Sequence, residues 1–502
     1  MPTLLDCPSE ILDAIVEGLV VIIGIQNAVC LRTVCRAFDS AILHAICVSQ
    51  VVSIYDKATP HLENRMNPKL RGKIYLRQSQ TLAKTGIISD MNSKLDDLLD
   101  DVDTDRRGSR HEAVACAVQL KHNVEKGENV EAQNLLSGAI ISGELELTRQ
   151  LLEGRSKMPF KAEVDGVTPY FQSPVHLAAA GGHFEILKLL LAYGAQAYNP
   201  SATTLEWDRK SRYPLRLFGV PPTPLRLAIC HGHTEIVHLL LQPQNRPPDT
   251  SIEYSRCILA AGEAGRIDLI DELCKVMGRH WTEFNGLGRE LMMVAVQHIR
   301  KEVVSMILDS GIPANLAIHR ARGDCPSILY LAAYRGHTAL VQYLLDRGAS
   351  LTFNPKGARW DWCPIEGAAE GGHRGLVEML IDKGADSTPS LRSAAKGGHA
   401  GLVAHLLGRF PDLPGRGDGD NGQQAMHVAL QLGNITVIKL LVEAGVRWDD
   451  GTLFFNCRPW PSFLAPHLRK LGAHDLGTRQ CSEWNKNVSK GVCISERTWQ
   501  WV

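Results

Sequence analysis

Residues 173–191 read Ser173-Pro174-Val175-His176-Leu177-Ala178-Ala179-Ala180-Gly181-Gly182-His183-Phe184-Glu185-Ile186-Leu187-Lys188-Leu189-Leu190-Leu191, and residues 223–241 repeat them class for class from Thr223-Pro224-Leu225 through His231-Gly232-His233 to Leu239-Leu240-Leu241. A hydroxyl residue followed by proline starts a helix. Ser173 or Thr223 can accept a backbone N–H, and proline takes the first helical position, where no donor is missed. Ala178-Ala179 lets this helix approach its neighbours, where bulky residues would overpack. Gly181-Gly182 ends it in a conformation that costs glycine little. Ile186, Leu187, Leu189 and Leu190 then place an apolar stripe on a second helix, which Gly194-Ala195 closes. Such a hairpin cannot bury its stripe alone and needs copies on either side.

Copies follow at Leu329–Leu345, Ile365–Ile381, Leu391–Leu407 and Met426–Val442, with weaker ones at Leu136–Leu152, Ile258–Cys274 and Met292–Leu308. The position of Gly182 is held in turn by Gly143, Gly182, Gly232, Gly265, Ile299, Gly336, Gly372, Gly398 and Gly433. Gly232 and Gly265 stand 33 residues apart and most other steps are close to that. These motifs resemble ankyrin repeats, whose period is about 33, over Glu131 to Val446. The resemblance implies an all-α solenoid of about nine helix-turn-helix repeats that binds a protein partner through finger loops and the inner-helix face. It also implies a structural histidine at His176 and His427, hydrogen-bonded between neighbouring repeats. That slot elsewhere holds Arg226, Glu366 or Arg392, so this ladder is expected to be broken. His183, His233, His337, His373 and His399 recur once per repeat, which argues against the single point a tetrahedral metal site needs.

Two irregularities stand out. Gly182 and Gly232 are 50 residues apart, and the excess lies in Tyr198–Pro222, with Trp207, Arg209, Arg212 and Tyr213. A second aromatic stretch, Phe353–Trp362, carries Arg359, Trp360 and Trp362. Insertions in repeat arrays map to loops on one face, often the binding face, and Trp, Tyr and Arg dominate interface energies. These seven residues are the expected partner contacts; the alternative is that they fold back and cover a weak repeat. By contrast only 26 residues separate Gly372 from Gly398, leaving almost no finger before Ser390. The copies within Ile258–Leu308 lack several consensus residues and are expected to be a looser stretch.

Outside the repeats, Cys7-Pro8-Ser9-Glu10-Ile11-Leu12-Asp13-Ala14-Ile15 and Leu31-Arg32-Thr33-Val34-Cys35-Arg36-Ala37-Phe38 pattern as two short helices. In order and residue type they resemble an F-box. The resemblance implies that Pro8, Ile11, Leu12, Ile15, Val34 and Phe38 contact the small adaptor of a cullin-based ubiquitin ligase. Two departures from the family are a longer separation of Pro8 from Cys35 and Cys7 in place of leucine. The alternative is an N-terminal helical cap. The expected organisation is therefore 1–50 F-box-like, 51–130 a helical connector, 131–446 repeats, and 447–502 a C-terminal cap rich in tryptophan. The connector includes a helix at His111–Val124 and an acidic run, Asp96–Asp101, read as a solvated helix end.

Lys plus Arg and Asp plus Glu balance at 54 each, so no global field favours nucleic acid or an anionic membrane. The apolar uncharged run Gly18–Leu31 is too short to span a bilayer. Met1-Pro2-Thr3-Leu4-Leu5-Asp6 lacks the basic start of a signal peptide. Thirteen cysteines without framework spacing fit reduced thiols in cytoplasm or nucleus. No nucleotide loop, GxSxG, HExxH or kinase signature occurs, and Gly415–Gly422 lacks the closing glutamate of a calcium loop. A non-enzymatic chain without cofactor or metal is expected.

Overall fold

The computed structural model describes residues 12–18, 41–42, 45, 87–100, 103–118, 130–155, 161–168, 170–198, 222–284, 286–316, 327–352, 362–416 and 421–446. They are helical apart from turns and fall into two compact units, one up to Pro248 and one from Asp249.

In the first unit, α1 (Ile87–Leu99) and α2 (Thr104–Ala117) precede three helix pairs. These are α3 (Val130–Ile141) with α4 (Leu145–Glu153), α5 (Pro174–Gly181) with α6 (Phe184–Ala192), and α7 (Pro224–His231) with α8 (Thr234–Leu240). The inner helices form a row in which α1 packs on α3, α3 on α5 and α5 on α7. Asp96 on α1 pairs with Arg110 at 2.5 Å and His111 at 3.1 Å on α2. The acidic run is thus tied down at Asp96, while Asp97 and Asp100 are exposed.

The second unit stacks six pairs. They are α9 (Glu253–Ala264) with α10 (Ile267–Met277), α11 (Leu287–Gln297) with α12 (Lys301–Asp309), α13 (Ile328–Tyr334) with α14 (Thr338–Asp346), α15 (Pro364–Glu370) with α16 (Arg374–Asp382), α17 (Ser390–Gly397) with α18 (Ala400–Arg409), and α19 (Asn421–Leu432) with α20 (Ile435–Glu443). The inner row runs α9, α11, α13, α15, α17, α19. The expected looser stretch is closely packed: Cys257, Ile258, Leu259, Ala260 and Ala261 on α9 are fully buried, as are Leu291, Met292 and Ala295 on α11. The missing consensus residues are replaced there by continuous apolar burial.

The elements begin largely as their chemistry dictates. Thr223 Oγ1 accepts from Arg226 N at 3.3 Å, and Ser327 Oγ accepts from Tyr330 N at 3.0 Å. Ser173 caps nothing with its side chain; its hydroxyl lies 2.6 Å from His176 Nδ1, which competes for it. His176 thus bonds within its own helix start, and His427 Nε2 likewise meets Gln431 one turn on at 2.9 Å.

Bonds between pairs also come from the turns inside the pairs. Gly143, Gly182, Gly232, Gly265, Gly336, Gly372, Gly398 and Gly433 all have φ between +72° and +81°, a region that suits glycine. At five of these turns, and at the equivalent turn through Ile299, the next side chain reaches back to the end of the preceding inner helix. His183 Nε2 meets Ile141 O at 3.2 Å, His233 Nε2 meets Ala180 O at 3.1 Å, His373 Nε2 meets Tyr334 O at 3.1 Å and His399 Nε2 meets Glu370 O at 2.9 Å. Arg300 Nε donates to Glu263 O at 2.7 Å and Asn434 Nδ2 to Ala395 O at 3.4 Å in the same way. Carbonyls at a helix C-terminus have no partner in their own helix, so these donors satisfy them. The glycine is needed twice, for φ and for space: a Cβ at Gly182 would lie 2.5 Å from the His233 ring, and one at Gly372 2.6 Å from His399.

Ile299 breaks this rule and shows why it holds. It occupies the same turn at φ +60°, 52% exposed, and its Cβ stands where the next histidine ring would go. His337, the residue after the following glycine, makes no such bond among the described residues.

Candidate protein-binding surface

Successive pairs are also linked at the loops that join them. Gln133 accepts from Glu163 N at 3.0 Å and donates to Gly166 O at 2.9 Å, fixing the loop before α5. Asp165 Oδ1 accepts from Gln196 N at 3.1 Å. In the second unit Asn315 repeats the device, donating to Gly348 O at 3.2 Å and accepting from Ser350 N at 2.7 Å. Each carboxylate or amide therefore holds the base of one loop against the next.

On the inner face of α13, α15 and α17, aromatic and charged side chains form one network. The Tyr330 hydroxyl donates to Glu370 Oε2 at 3.0 Å, and Lys396 Nζ lies 2.9 Å from Glu370 Oε1. Arg392 Nη2 meets Glu366 Oε1 at 3.0 Å. Tyr334 stacks on Tyr330 at 6.4 Å, Trp362 meets Tyr330 edge-on at 5.0 Å, and Lys396 Nζ lies 5.9 Å from the Trp362 ring. Burial, with Glu370 beside it, pushes the Tyr330 phenol far above its ordinary value. Opposite charges are matched within this face, which makes it a preorganised polar and aromatic platform.

Trp362 is 9% exposed. At this position the ring packs onto the repeat rather than projecting. Arg359 and Trp360 lie outside the described residues, as do Trp207, Arg209, Arg212 and Tyr213. Of the N-terminal residues, Leu12 is buried and Ile15 is 44% exposed, while Pro8, Ile11, Val34 and Phe38 lie outside the described residues. Among the described residues, no group of three or more His, Cys, Asp or Glu is placed to hold a metal ion, and no helix is long and apolar enough to cross a membrane.

A family model described as Ankyrin repeats matches residues 136–250, 292–390 and 367–452, together more than half of the chain. The chain belongs to the ankyrin-repeat family. Ankyrin repeats make it a protein-interaction scaffold, of a family whose members are in general not enzymes. No curated protein matches the sequence. Within this ankyrin array the Tyr330–Glu370–Lys396 network was missed by sequence reasoning, although part of it carried a signal. Glu366 and Arg392 occupy equivalent slots of successive ankyrin repeats, and opposite charges one repeat apart predict the bond that is observed. The anchoring of Trp362 carried none, because periodicity does not say which way an insertion turns.

Proposed function

We propose that the chain recognises a protein partner through its finger loops and inner-helix face, with no catalytic role. The observation that carries this is the seating of Trp362 on Tyr330 and Lys396. Arg359 and Trp360 precede this fixed ring by only three and two residues. Contact residues next to a rigid anchor lose less freedom on binding. The matched charges of the platform give orientation and specificity more than raw affinity. The thirteen cysteines have no disulfide-framework spacing, which supports placing the scaffold in a reducing compartment, cytoplasm or nucleus.

A photo-crosslinking residue in place of Trp360 or Trp207, compared with one in place of the outer-helix Glu443, tests this reading. The expected result is a discrete crosslinked protein from the first two positions only, lost in the Arg359→Ala, Trp360→Ala double variant. Equal labelling from all three positions would remove the finger assignment.

A second reading is favoured by one observation. Ile15 is exposed on a helical segment whose Leu12 and Val16 are buried, so it offers an apolar contact for another chain. In this reading the F-box-like segment docks the adaptor of a cullin-based ubiquitin ligase and the array supplies substrate. Pull-down with that adaptor should succeed for the full chain and fail for Ile15→Asp. No adaptor recovered with the unaltered chain would end it.

A further inference from the structure

The outer helix of each described pair begins at the turn inside that pair, and its second residue changes in character along the chain. It is Glu146 on α4, Glu185 on α6, Glu235 on α8, Asp268 on α10 and Glu302 on α12, an acid in the first turn each time, where a carboxylate is favourable. From α14 onward it is Ala339, Gly375, Gly401 and Thr436, and α14, α16, α18 and α20 have no acid in the first turn.

Nothing in the fold demands glycine at Gly375 or Gly401. Both are exposed, neither has a positive φ, and a Cβ at either would meet nothing within 4 Å. Gly371 and Gly397, at the same turns, differ: a Cβ there would collide with the carbonyl oxygens of Tyr334 and Glu370. Glycine is also the poorest helix former after proline. What Gly375 and Gly401 provide is bare backbone, open to close approach by another chain.

Cations border this bare edge. Arg335 and Arg374 are exposed, and among the described residues neither side chain pairs with a carboxylate. Glu370 and Glu378, four residues to either side of Arg374, are engaged elsewhere: Glu370 by Tyr330 and Lys396, Glu378 by His405 and Arg409. The turn edge from α13 to α18 thus carries positive charge that the fold does not neutralise.

We propose that this edge docks an acidic, extended segment of a protein partner, laid across the starts of α16 and α18 beside Arg335 and Arg374. Its carboxylates supply the first-turn charge that these helices lack and complement the two guanidinium groups. The turns inside the pairs stand at the opposite end of each helix pair from the finger loops. This is therefore a second surface, independent of the reading above.

Fluorescence anisotropy of the full chain with labelled hexaglutamate, and with hexaglutamine as the neutral counterpart, tests it. Hexaglutamate should bind at least about tenfold more tightly than hexaglutamine, and its binding should weaken as salt rises from about 0.01 M to about 0.1 M. Arg335→Ala combined with Arg374→Ala should weaken it by about tenfold. Gly375→Glu combined with Gly401→Glu restores the acids of the earlier pairs; it should abolish binding while the unfolding midpoint is kept or raised. Gly375→Gln with Gly401→Gln should weaken binding as well, since bulk alone closes the approach. Gln242→Glu with Gln244→Glu makes the same change of net charge on exposed residues of the first unit and should leave binding as it was. Equal binding of the two peptides, undiminished binding by the arginine variant or by either glycine variant, or equal weakening by the Gln242, Gln244 variant overturns the proposal. Crosslinking from Trp360 reports on the finger loops alone, so the loss of either reading leaves the other standing.

Discussion

At the scale of single residues, the turn position repeated from Gly143 to Gly433 decides most. A β-branched residue in the left-handed region costs roughly 1–2 kcal/mol, and Ile299 is held there at φ +60°. Ile299→Gly should therefore raise stability by about 1 kcal/mol after the entropy of glycine is subtracted. It should also free the space in which His337 can reach Gln297 O. Urea unfolding and the His337 ring resonances would check both parts. The reverse change, Gly372→Ala, combines φ +77° with a Cβ 2.6 Å from the His399 ring and should cost about 1–3 kcal/mol. The histidines also set a pH response. Burial first of all holds His183, His231, His337, His405 and His427 below the ordinary value of 6.5. The unfolded chain then binds more protons than the folded one just below that value, so stability rises with pH there. Urea midpoints should be constant above about pH 7.5 and fall as the pH drops below 6.5; a midpoint unchanged at pH 5.5 would contradict the burial of these rings.

At the scale of elements, each helix pair is stabilised mainly by what lies on either side. Leu190 on α6 is fully buried, and Leu190→Ala should cost about 2–5 kcal/mol. Since repeats interact with nearest neighbours only, hydrogen exchange should accelerate in α3 to α8 and change little from α13 to α20. Tyr330→Phe removes the bond to Glu370 but keeps the stacked rings, and should cost about 1 kcal/mol. The pairs themselves were legible beforehand: Ser173-Pro174 marks the start of α5, and the stripe of Ile186, Leu187, Leu189 and Leu190 is the buried face of α6, because capping and apolar period are local signals. The side chains that reach back from the turns, such as His183 and Arg300, were not anticipated as links between pairs. Which of two histidines reaches the preceding helix depends on a turn geometry that only the assembled stack defines.

At the scale of the whole molecule, the back-reaching side chains have a consequence for how such an array can change its length. Each one grasps the pair immediately before it, and each grasp comes from the residue after the turn position, which is glycine in every case but Ile299. Joining Gly372 directly to His399 would excise residues 373–398 while presenting His399 to Tyr334 O as His373 is now. In-frame recombination between equivalent glycine codons can therefore add or drop a unit without a compensating mutation. A deletion whose ends fall at unlike positions of two units leaves a carbonyl with no donor and a donor with no carbonyl. The glycine column is thus a set of permitted splice points, and lineages of this protein should differ in length by whole steps between them.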